Sequence, residues 1–78
     1  MNIDTNTTYQ VPSAALESGM VLHLHPNGPA ELAHVFHMTQ HGLVEVTFKE
    51  TQHLPDGTPY DTIQVPAGVT LIRYHENN

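Results

Sequence analysis

The chain has 78 residues, no cysteine, no tryptophan, and only two fixed cations, Lys49 and Arg73. Without cysteine there is no disulfide, no thiolate zinc site and no thiol nucleophile. Two cations cannot supply the several phosphate contacts on which nucleic-acid binding rests, so DNA and RNA are not expected partners. The same poverty of positive charge argues against an anionic membrane surface. No apolar run approaches the roughly 20 residues of a transmembrane helix. Met1 to Gln10 has neither a basic nor an apolar signal-peptide region, and cytoplasm is the expected compartment. The only serines, Ser13 and Ser18, lie outside any Gly-x-Ser-x-Gly context, and the five glycines are scattered singly. No nucleophile–base set stands out, so a non-enzymatic role is expected.

What the chain does have is histidine. Seven residues are His, against eight Asp and Glu. A free imidazole titrates at roughly pH 6.5. The formal charge is therefore −6 with His neutral and −6 + 7 = +1 with every His protonated. Nearly all the positive charge available to this chain is conditional on pH.

The apolar pattern reads as strands. Met20, Leu22 and Leu24 alternate with Val21, His23 and His25, the period-2 signature of a half-buried strand. Val44, Val46 and Phe48 alternate with Leu43, Glu45, Thr47 and Lys49 in a run rich in β-branched and aromatic residues. Thr62 to Val65 reads as a returning strand after the Asp56-Gly57 turn, and Val69 to Tyr74 as a last one. Residues 30–41 decide the fold class. As a helix, Pro29 would open the segment and Gly42 would close it, giving an α+β fold with that helix packed on an antiparallel sheet. As a strand, Leu32 to Thr39 would pair with Leu43 to Lys49 across Gln40-His41-Gly42. The segment has no Lys or Arg and no Gln before Gln40, unlike an exposed helix face, and the strand is the reading adopted. The expectation is an all-β domain of five strands, curled into a partly open barrel that protects its edges. Residues 1–10 are read as a flexible N-terminal tail, 11–76 as the single domain and 77–78 as a flexible C-terminus.

Leu16-Glu17-Ser18-Gly19-Met20-Val21-Leu22 opens the first strand with a leucine, a glycine and an apolar pair. Val44-Glu45-Val46-Thr47-Phe48 follows a hairpin turn, and the Val65-Pro66-Ala67-Gly68 bend feeds Val69-Thr70-Leu71-Ile72. In this order of elements the chain resembles small SH3-like β-barrel proteins of bacteria and bacteriophages, many of them uncharacterised. The likeness runs from Val11 to Tyr74. It implies a binding module with no catalytic residues to carry over, and a phage or mobile-element factor that interacts with the host.

The leading expectation is thus a protein-binding or self-associating module, with another protein or a second copy as partner. A second reading is a His-dependent metal-binding protein. His23 and His25 stand at i, i+2 on one strand face, a workable ligand geometry for zinc or another divalent cation if a third ligand joins them. On a helix, His34, His37 and His41 would fall within about 60° of one another; on a strand, His34 and His37 part to opposite faces. A third reading is an acidic mimic of nucleic acid, set against carboxylates that are spread singly along the chain.

Overall fold

A computed structural model describes residues 2–24 and 27–77, with side chains described over 6–24 and 27–75. Six strands form among the described residues: β1 (Asn2–Pro12), β2 (Val21–Leu24), β3 (Gly28–Met38), β4 (Leu43–His53), β5 (Pro59–Pro66) and β6 (Thr70–Asn77). They make one antiparallel sheet in the order β1-β6-β2-β3-β4-β5, curled into a half-barrel. The all-β class stands, and the count of five strands is corrected to six. The architecture is consistent with an SH3-like fold.

The added strand is β1, over residues expected to be a tail. It shows no apolar alternation because it lies at a sheet end, where the ladder to β6 rather than side-chain burial holds it. Of its described side chains only Val11 joins the core. At the other terminus, Asn77 belongs to β6 opposite Asn2, and Asn78 lies outside the described residues.

Residues 30–41 are not a helix. Gly28–Met38 is strand, and Thr39–His41 is a single 3₁₀ turn leading to Gly42. Gly42 has φ +64°, the left-handed region that glycine enters without a Cβ clash, and this reverses the chain into β4. The hairpin closes with Met38 opposite Leu43.

One irregularity governs what β3 presents. Leu32 pairs with Phe48, but the register slips before His34 meets Thr47. An extra residue in one strand exchanges its two faces. Ala30 and Leu32 point into the core before the bulge; Val35 and His37 take the core-side positions after it, opposite Val46 and Val44.

The core comprises Val11, Leu16, Leu22, Ala30, Leu32, Val44, Val46 and Phe48. Val46 is fully buried, as its alternation with Glu45 and Thr47 predicts. Burying each Val or Leu side chain contributes ~1.5–3 kcal/mol. Buried Ser13 ties the half-barrel across its gap. Its N–H donates to Val69 O and its Oγ to Pro66 O, both at 2.8 Å, joining the end of β1 to the β5–β6 turn.

Candidate binding surface

The face of β3, β4 and β5 away from the core follows from the register. Opposed residues of adjacent strands project to the same side. Three rows result: His34, Thr47 and Thr62; Phe36, Glu45 and Gln64; and Met38, Leu43 and Pro66. Within the first row the Thr47 and Thr62 hydroxyls are 3.1 Å apart. Within the second, Gln64 Nε2 donates to Glu45 Oε1 at 3.3 Å. Phe36, in that second row, is 63% exposed, the most exposed large apolar side chain described. A depression of about 330 Å³ lies beside it, lined by Phe36, His37, Met38 and the Thr39–His41 turn.

Adjacent residues of a strand face opposite sides, so a strand through Val35 and Phe36 buries one and exposes the other. The bulge before His34 sets which is which, Val35 inward and Phe36 outward. Nothing in the apolar pattern marks that slip, since Ala33 and His34 fit either register.

The described histidines do not gather. Among the described residues no three His, Asp or Glu side chains are placed to share a metal ion. Of the candidate ligand pair, His23 Nδ1 is engaged by the Tyr74 hydroxyl, and His25 lies outside the described residues. His37 Nε2 stands 3.1 Å from Leu16 O. A carbonyl only accepts, so this nitrogen carries a proton. His34 is exposed in the first row and His41 in the 3₁₀ turn. His53 holds Asn27 through its backbone, and the His75 ring lies 4.4 Å from that of Tyr9.

The two fixed cations are both engaged. Lys49 Nζ lies 3.0 Å from Glu31, across β4 and β3. The Arg73 guanidinium lies 5.0 Å from the Tyr9 ring centroid, within cation–π range. Asp56, in the β4–β5 turn, accepts the Thr58 N–H at 2.9 Å. That bond and one from the Thr58 hydroxyl hold its carboxyl below the ordinary carboxylate pKa.

Comparison with protein-family models, curated proteins and solved structures found no match. No helix among the described residues is long and apolar enough to cross a membrane.

Proposed function

We propose that this chain is a small non-enzymatic binding module that engages another protein, or a second copy of itself, through the β3–β4–β5 face. The observation that carries this reading is Phe36. An aromatic ring left 63% exposed on a pleated face, with Met38 and Leu43 in the next row, is a candidate interface anchor. The half-barrel has no evident use for it, because the ring points away from the core. The resemblance to SH3-like proteins of bacteria and phages extends the reading to a host-interaction factor.

The experiment is site-specific photo-cross-linking from position 36 in the native host, with position 10 on β1 as the control. A species captured only from position 36 is then purified and its affinity measured for the native chain and for Phe36→Ser. The reading expects a captured species, a weaker Phe36→Ser complex and an unchanged fold. Equal affinities, or identical capture from both positions, would overturn it. Self-association is read separately by sedimentation at micromolar concentration.

A further inference from the structure

The free side of β5 has a definable chemistry. Strand β5 ends the sheet and pairs only with β4. The direction of its backbone groups follows from the ladder. Leu32 exchanges hydrogen bonds with the β2 side, its N–H to Met20 O at 2.9 Å and its carbonyl from Gly19 N–H at 2.8 Å. Alternation then turns Val46 and Val44 toward β5, where they face Ile63 and Val65. The Ala67 N–H continues that ladder to Gly42 O at 2.9 Å. Thr62, Gln64 and Pro66 therefore aim their backbone away from β4. Pro66 has no N–H to offer, and its carbonyl is taken by Ser13 Oγ. The open stretch is centred on Thr62 and Gln64, both exposed.

Two further observations describe what suits this edge. On the core side, Ile63 and Val65 are only half-buried, because the half-barrel stops at β5. Two carboxylates are tied to the open stretch, Asp61 on β5 itself and Glu45, which accepts from Gln64 Nε2 at 3.3 Å. Natural edge strands are commonly guarded by lysine, and β5 has none. A second copy brings no Lys or Arg on its own β5 and adds another −6 of charge.

We propose that β5 accepts an extended, basic segment of a partner protein as a seventh strand. Alternate apolar residues of that segment cover Ile63 and Val65, and its Lys or Arg residues lie on the face of Thr62, Gln64 and Glu45. Main-chain bonds to Thr62 and Gln64 supply affinity, and the charge pattern supplies selectivity. This rests on the protein-binding role proposed above and names the partner's chemistry.

The test uses the full chain and two capped synthetic peptides, one alternating Lys with Val and one alternating Glu with Val, followed by amide NMR and hydrogen exchange. The Lys–Val peptide is expected to slow exchange at Thr62 and Gln64 and to bind at least ~5-fold tighter than the Glu–Val peptide, as a few exposed charge pairs allow. Gln64→Pro removes an outward N–H that β4 does not use, so the ladder survives while peptide protection is lost. Asp61→Lys, which leaves the backbone intact, is expected to shrink the Lys–Val preference. No binding, equal binding of both peptides, or a response that spares the Thr62 and Gln64 amides would overturn the proposal. Concentration-dependent protection of those amides without peptide would replace it with self-pairing. Loss of a cross-linked partner in Phe36→Ser but not in Gln64→Pro would overturn the edge while leaving the face reading intact.

Discussion

His23 and Tyr74 meet across the β2–β6 pair, the Tyr74 hydroxyl on His23 Nδ1 and the two rings edge-on, with centroids 5.5 Å apart. The contact satisfies Tyr74, which is 5% exposed, through a histidine that is itself exposed. It tolerates either charge state. The phenol donates to Nδ1 when the imidazole is neutral with its proton on Nε2, and accepts from Nδ1 when the ring is protonated. His23 is thus a tie between strands.

Tyr74→Phe removes the hydroxyl and keeps the ring. The expected loss is about 0.5–1.5 kcal/mol, the net value of one such bond. In a domain of this size each kcal/mol lowers Tm by roughly 4–8 °C. Thermal unfolding of the variant checks this, and an unchanged Tm would show that the contact contributes nothing.

Ser13→Ala leaves Pro66 O without its side-chain donor at a fully buried position. Pro66 O keeps only the longer 3.4 Å bond from the Val69 N–H, and the expected cost is about 1–3 kcal/mol, the range for losing a partner at a buried polar group. Urea unfolding measures it. A value below that of Tyr74→Phe would mean that the backbone bond to Val69 alone closes the gap.

Leu32→Ala deletes a core side chain that is 1% exposed and sits beside the β3 bulge. Such truncations cost about 2–5 kcal/mol. A single small core supplies only about 3–5 kcal/mol in total. The variant is expected to be largely unfolded at 25 °C by circular dichroism, whereas Phe36→Ser should stay within about 0.5 kcal/mol of the native chain.

Asp56 gives a pH expectation with a definite sign. Its folded pKa lies below its unfolded one, because Thr58 hydrogen-bonds the carboxylate. Its contribution is therefore complete above the unfolded pKa and is lost as pH falls through the folded one. An NMR titration should place the Asp56 midpoint below that of the urea-unfolded chain, and Thr58→Ala should raise it. A midpoint equal in the two states would contradict the turn geometry.

Much of the fold was legible. The alternation of Val44, Val46 and Phe48 and the glycine at position 42 sufficed for the β3–β4 hairpin, because one face of β4 is buried and the turn needs a positive φ. Strand β1 was not legible, since an edge strand held by backbone bonds leaves no period-2 trace. The exposure of Phe36 was hidden too. It follows from a one-residue slip at Leu32–His34, and a slip changes register without changing composition. The histidines drew attention by number, yet the described ones lie on β2, β3, β4, β6 and a turn, which disperses them.

The central claim is that Phe36 anchors an interface. Its most direct test is the affinity of the purified species cross-linked from position 36, measured in parallel for the native chain and for Phe36→Ser. The account expects at least a ~10-fold weaker complex, the loss of an interface anchor. Equal affinity of a folded Phe36→Ser would contradict it.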